Sequence, residues 1–333
     1  MPTLEITTKL GCSLACRFCP QDRLMKSYPR GDSRELSFGD FRRVVAKVPP
    51  HVRLDFSGMA EPWLNERATD MVAHAFDLGR KVAIYTTLQG MQPDDAAMLI
   101  GRYAGRIGPE TPWVIHLPDD EGNMTGWKRS ETYLRTLARF VALRRDHAPA
   151  GLTFMTMSAR GEVAEPLRAV IGDRLDPFVG ISRVENLDRT AFAPGQLLAA
   201  ARHDGAVLCG STPYFDHNAM LPNGDVVLCC MDYARRHVLG NLFHQSYEEI
   251  HAGAAMGAIR VQAMTPGDDT LICRRCHNAV CLDQEGGTHW RLRQNAMWTA
   301  LPAPMAMPVM PPPPAKRSVL ADLRRWAQRA GGL

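Results

Sequence analysis

The placement of the cysteines constrains this chain more than any other feature. Its 333 residues hold nine, in two groups. Three stand at Cys12, Cys16 and Cys19; the others are Cys209, Cys229, Cys230, Cys273, Cys276 and Cys281. The N-terminal stretch carries Glu5, Lys9 and Arg17 without an uninterrupted apolar run, so no secretory signal is expected. No segment is apolar over the ~20 residues needed to cross a bilayer. A cytoplasmic location follows as the expectation, and membrane partners are argued against. In a reducing compartment, clustered thiols point to metal binding or catalysis rather than disulfides. The net charge of +4 is too mild to argue for nucleic acid. A hydrophobic content of 45% suffices for a sizeable core.

Hydrophobic periodicity predicts strands at 3–8, 52–56, 82–86, 113–117, 152–157 and 178–182. Helices are predicted at 37–48, 65–78, 94–103, 130–147 and 163–171. This alternation predicts an α/β fold, a partial (β/α)6 barrel with its chemistry at the strand C-terminal ends. Beyond about 190 the pattern changes. Residues 218–221 and 226–228 flank Pro222, Asn223, Gly224 and Asp225 and read as a β-hairpin, followed by a helix at 247–259. Residues 299–316 are rich in Pro and Met and read as a linker. Residues 317–331 read as a basic tail, either frayed or an amphipathic helix meeting a surface.

Cys12, Cys16 and Cys19 form a CxxxCxxC motif in the loop after the first strand. Close spacing lets one loop supply three thiolates to an iron–sulfur cluster, leaving one iron open. A zinc site would need a fourth protein ligand, and His51 is remote in sequence. With Phe18 before the third cysteine, the motif resembles the signature of the radical S-adenosylmethionine (SAM) superfamily. The resemblance extends over most of 1–290. It implies a [4Fe–4S] cluster whose free iron is chelated by SAM, reductive cleavage of SAM to a 5′-deoxyadenosyl radical, and hydrogen abstraction from a substrate.

Further positions carry expectations from that resemblance. Ser57, Gly58, Met59, Ala60 and Glu61 follow the second strand and resemble the family's glycine-rich SAM-amino motif, with Ala60 where glycine is usual. Gly58, Met59, Ala60 and Glu61 are therefore expected cofactor contacts. Thr87, at the end of the third strand, is a SAM contact or a structural turn. Ser158 and Arg160 are expected at the SAM ribose or carboxylate. His116, Arg183, Glu185 and Asn186 lie near strand C-terminal ends and are expected to meet the substrate. Asp119, Asp120 and Glu121 read as a loop that is either solvated or substrate-gripping.

Cys209 and Cys229, with Gly224 between them, and the Cys273-x-x-Cys276 pair resemble the SPASM and twitch domains of the same superfamily. Those four are the expected ligands of an auxiliary [4Fe–4S] cluster; a four-cysteine zinc site is the alternative on spacing alone. Cys230 and Cys281 remain, either packed as small apolar groups or acting catalytically as hydrogen-atom donors. The expected domains are a core at 1–195, an auxiliary cluster domain at 196–298, and the linker and tail at 299–333.

The arrangement resembles the aminocyclitol dehydrogenase of butirosin biosynthesis. This implies oxidation of a small polar substrate, such as a sugar, aminocyclitol or nucleotide derivative, with the auxiliary cluster as electron acceptor. An external one-electron reductant such as flavodoxin or ferredoxin is the implied partner. The alternatives are a peptide maturase or epimerase, and a non-catalytic iron–sulfur or zinc module. The first strand leaves no room ahead of it for a peptide-binding domain, which disfavours the maturase.

Overall fold

The computed structural model describes residues 1–281 except 173, 174, 176, 200, 201 and 213. The expected linker and tail at 299–333 lie outside the described residues. The strands β1 (Thr3–Ile6), β2 (Arg53–Phe56), β3 (Val82–Thr86), β4 (Trp113–Leu117) and β5 (Leu152–Thr156) alternate with helices. Helices α1 (Gln21–Ser27) and α2 (Phe38–Lys47) precede β2; α3 (Ala68–Asp77), α4 (Pro93–Tyr103) and α5 (Glu131–His147) separate the next strands; α6 (Glu165–Ile171) follows β5. The later part comprises β6 (Gly180–Ile181), β7 (Leu197–Leu198), β8 (Val207–Cys209), β9 (His217–Met220), β10 (Asp225–Val227) and β11 (Val238–Asn241). It ends with α7 (Tyr247–Ala252), α8 (Ala254–Met264) and β12 (Ala279–Cys281).

Among the described residues, one sheet runs β11-β10-β9-β1-β2-β3-β4-β5. From β9 to β5 every pairing is parallel. Parallel neighbours require crossovers, and the helices supply them among β1 to β5. The hairpin β9–β10 therefore extends the barrel sheet itself: β9 lies beside β1, with Thr3 opposite His217.

Side-chain alternation gives the sheet two unlike faces. One carries Leu54, Phe56, Ile84, Trp113 and Ile115, all buried. Phe41 of α2 packs on Phe56, and Phe76 of α3 and Phe140 of α5 pack on Trp113. The other face carries Glu5, Arg53, Asp55, Tyr85, His116 and His217, as the strand register requires. A parallel sheet covered on both sides is ordinarily apolar throughout. The polar inner face thus marks where ligand chemistry belongs.

Two expectations change in detail. The strand expected at 178–182 shortens to β6, which pairs with β7 in a separate two-stranded sheet. Only Gly180 and Ile181 find ladder partners, in Leu197 and Leu198, and the positive φ of Arg183 ends the extended run. The helix expected at 247–259 divides into α7 and α8, because Gly253 takes an extended ψ of 164°. No helix among the described residues is long and apolar enough to cross a membrane.

Candidate active site

The loop after β1 folds back so that Cys19 N–H donates to Cys16 O at 3.0 Å. The loop after β4 clamps it from outside, with Arg17 N–H donating to Asn123 O at 2.9 Å and Gly126 N–H to Leu14 O at 2.8 Å. Only glycine permits this approach, since a Cβ on Gly126 would stand 1.9 Å from Ser13 O. Burial pushes the Cys12 and Cys16 thiols up, and the neighbouring thiols push Cys16 further. The three sulfurs thus surround one region. Among the described residues no three His, Cys, Asp or Glu side chains are already drawn into ion-holding geometry.

Glu61 is buried in the loop after β2, with all its acceptor capacity engaged by the chain. Oε1 accepts from Trp63 N–H at 3.1 Å and Thr86 Oγ1 at 2.7 Å. Oε2 accepts from Thr87 N–H at 2.6 Å and Thr87 Oγ1 at 2.7 Å. A carboxylate offers about four acceptor positions. Here Glu61 and Thr87 bind each other and lock the glycine-rich loop to the end of β3. Gly58 takes φ +74°, and a Cβ there would meet Thr7 Oγ1 at 2.3 Å. The Gln21 amide nitrogen donates to Met59 O, and its buried Oε1 has no partner.

The loops after β4 and β5 are tied by Glu121. It accepts from Ser158 Oγ at 2.6 Å, Ala159 N–H at 2.8 Å and Arg160 Nε at 3.0 Å. Ser158 is buried in this network, whereas the Arg160 side chain is 61% exposed and pairs with Glu121 and Glu162. Asp119 accepts from Glu121 N–H and Asn123 N–H, and Asp120 from Glu165 N–H at the start of α6. The acidic run therefore shapes the loops.

On the inner face, Glu5 Oε1 pairs with His217 Nε2 at 2.9 Å, while Oε2 accepts from Ser57 Oγ at 3.0 Å and Gly58 N–H at 3.1 Å. Burial pushes Glu5 up, but His217 outweighs it and leaves the carboxyl low; Cys230 also hydrogen-bonds to it. Burial pushes His217 down, and Glu5 reverses this. Arg53 holds Asp55 through both carboxylate oxygens at 2.6 Å. His116 is pushed down to about 4, by burial first and by Arg183 second, and its Nδ1 has no partner.

Arg183 enters this region from a turn in which Arg183, Val184 and Glu185 all have positive φ. Its Nε donates to Phe18 O at 3.1 Å, and its Nη1 approaches Met231 Sδ at 3.5 Å. Glu185 instead pairs outward with Arg275 at 2.8 Å, and Asn186 Nδ2 closes the turn on Arg183 O at 2.7 Å. Of those three expected substrate contacts, only Arg183 projects inward.

In the second group, burial dominates in raising the Cys229 and Cys273 thiols; after it, Cys229 feels Cys230, Cys273 and Cys276, and Cys273 feels Cys276 and Cys209. Cys230 turns toward Glu5 and Arg183. Cys281 lies in β12 opposite Val207 of β8, apart from the barrel residues.

Both donor sets have the chemistry of iron–sulfur ligands: three thiols on one loop, and thiols carried on β8, the end of the hairpin and the Cys273–Cys276 turn. The unpartnered Gln21 Oε1 beside Met59 O fits a cationic amino group next to the first set.

Sequence reading missed Glu5, Asp55, Tyr85 and His217. Their signal was present, as polar residues inside strands whose parallel neighbours should be apolar. Gln21 and Tyr233 had no such signal.

The fold is an α/β partial barrel, and the second cysteine group falls in residues 209–277, which match the family model of the SPASM iron–sulfur cluster-binding domain. An iron–sulfur cluster is what that domain family binds. Among solved structures, the chain is similar to BtrN in complex with AdoMet and 2-DOIA, at 13% identity and a TM-score of 0.51 over 87% of this chain and 96% of that one. It is also similar to anSMEcpe with bound AdoMet and the Cp18Cys peptide, at 12% identity and a TM-score of 0.46 over 98% and 99% of the two chains. A further similarity is to SuiB of Streptococcus suis bound to its precursor peptide SuiA, at 12% identity and a TM-score of 0.43 over 78% and 66%. No curated protein matches the sequence.

Proposed function

We propose that the chain is a radical SAM oxidoreductase that dehydrogenates a small, hydroxyl-bearing substrate held against the polar inner face of the barrel. The observation that carries this reading is the Glu5–His217 pair, set on that face, with Glu5 in the strand that leads into the cysteine loop. Cys12, Cys16 and Cys19 would hold the SAM-binding cluster, and Cys209, Cys229, Cys273 and Cys276 the auxiliary one. When bound, these groups and SAM supply a hydrogen-abstracting radical and an electron acceptor.

The chain's own residues then bind and move protons. Removing a hydrogen from a carbinol carbon acidifies its hydroxyl, and a base must take that proton. The Glu5 carboxylate would be that acceptor, with His217 the charged donor that holds it. Arg183 and the neutral His116 are placed to grip oxygen substituents. Tyr85, Arg53 and Asp55 complete a polar floor suited to a polyol or aminocyclitol rather than an apolar ligand. The BtrN complex with 2-DOIA supports this substrate class through likeness of fold. Gly58, Met59 and Ala60 would meet the amino end of SAM, and Ser158 the ribose side. The core at 1–195, the auxiliary domain at 196–298 and an external flavodoxin- or ferredoxin-type reductant belong to the same proposal.

A second reading is epimerisation, favoured by one observation: Cys230, unlike Cys281, faces Glu5 and Arg183. The test is turnover of the anaerobically reconstituted protein with SAM, a strong reductant and a panel of aminocyclitols and sugars. Dehydrogenation yields ketone in step with 5′-deoxyadenosine. Epimerisation in D₂O instead places deuterium at an inverted carbon and is lost in Cys230→Ala. No 5′-deoxyadenosine from a protein with both clusters intact would contradict both.

A further inference from the structure

Cys19 receives two side-chain hydrogen bonds, and one comes from the C-terminal domain. The Tyr233 hydroxyl lies 3.3 Å from Cys19 Sγ, and Gln21 Nε2 lies 3.2 Å from it. A cysteine sulfur bonded to iron carries no proton. The Tyr233 hydroxyl must then be the donor.

Tyr233 is held for this contact. Its side chain is 2% exposed, packed in one apolar cluster with Leu24, Tyr28, Met59, Leu221 and Val227. Its carbonyl accepts from Ser27 Oγ at 3.1 Å, at the end of the helix that follows Cys19. Arg235 Nη1 donates to Ser27 O at 2.6 Å, a second tie between the same segments. The turn that carries it is fixed by Asp232, which accepts from Arg236 N–H and His237 N–H, both at 2.8 Å. The Arg183 guanidinium stands 6.0 Å from the ring centre.

Hydrogen bonds to ligand sulfurs stabilise the reduced, more negative state of an iron–sulfur cluster and raise its potential. We infer that Tyr233 is a positioning residue by which the SPASM domain sets the potential of the cluster held by Cys12, Cys16 and Cys19. Gln21 adds to the same effect from within the N-terminal segment. Seating of the C-terminal domain on the barrel then makes the first cluster easier to reduce. The inference rests on the proposed role of Cys19 as a cluster ligand.

The test is an EPR-monitored redox titration of the full-length protein with both clusters. The N-terminal cluster is identified as the signal that changes on adding SAM. Tyr233→Phe is expected to lower the midpoint of that signal alone, to the point where the reduced-to-oxidised ratio at fixed potential falls several-fold; tenfold would equal ~59 mV for one electron. Gln21→Leu shifts it the same way and serves where Tyr233→Phe loses iron. Unchanged midpoints in both variants, with iron content and circular dichroism preserved, would overturn the inference. Absence of any SAM-responsive signal in the unsubstituted protein would overturn the proposed function beneath it, a distinguishable failure.

Discussion

Glu5 of β1 and His217 of β9 form a 2.9 Å ion pair that joins the barrel to the cysteine-rich domain from inside the sheet. Its pH behaviour follows from the two shifts. The contribution of Glu5, whose folded pKa is lowered, is lost as pH falls through that value. The contribution of His217, whose folded pKa is raised, is complete below its unfolded value and is lost as pH rises through the folded one. The pair stabilises most between these limits. Glu5→Gln is expected to cost about 3 kcal/mol near neutral pH, discounted for the partly exposed imidazole, and less once pH has risen through the raised folded value of His217. Urea denaturation at several pH values checks this.

Glu61→Gln should destabilise the fold. The amide would turn one NH₂ against donors from Trp63 and Thr86 or from Thr87. The expected loss is about 2–3 kcal/mol. If Glu61 chiefly anchored the cofactor, SAM affinity would fall with stability unchanged. Denaturation beside SAM binding separates the two.

Gly126→Ala drives a methyl group into Ser13 O and the Leu14 backbone. The cysteine loop must move away, and iron bound by Cys12, Cys16 and Cys19 should fall while auxiliary iron stays. Analysis against the Cys12, Cys16, Cys19 triple-alanine variant checks this, with ~4 of ~8 irons at stake.

Arg183→Lys keeps the charge but loses the planar fork that reaches Phe18 O. Substrate KM should rise at least tenfold, about 1.4 kcal/mol, with uncoupled SAM cleavage retained. Initial-rate kinetics tests this, and an unchanged KM would remove Arg183 from the substrate site.

The fold was largely legible, because periodicity is local. Strands β3 and β4 fall where apolar alternation places them, and α5 ends at His147 as expected, with Ser130 its cap rather than its first residue. Helix α1 was missed because its seven residues begin directly after Pro20 with a single buried leucine, too short for a periodic signal. Strand β11 was missed because Val238–Asn241 is a strand only by pairing with β10. The cysteine groups were plain from spacing. The partners of Glu61 were not, since Thr86 and Thr87 arrive from another strand. Arg160 was drawn to surface glutamates that lie far off in sequence or across a turn.

The central claim is that one iron beside Cys12, Cys16 and Cys19 is left open for SAM. Electron–nuclear double resonance on the reduced protein with SAM labelled in its amino nitrogen and carboxylate oxygens tests it most directly. Direct coupling of both labels to the cluster, abolished in the triple-alanine variant, is the predicted result. A fully reduced cluster showing no coupling to either label would contradict it.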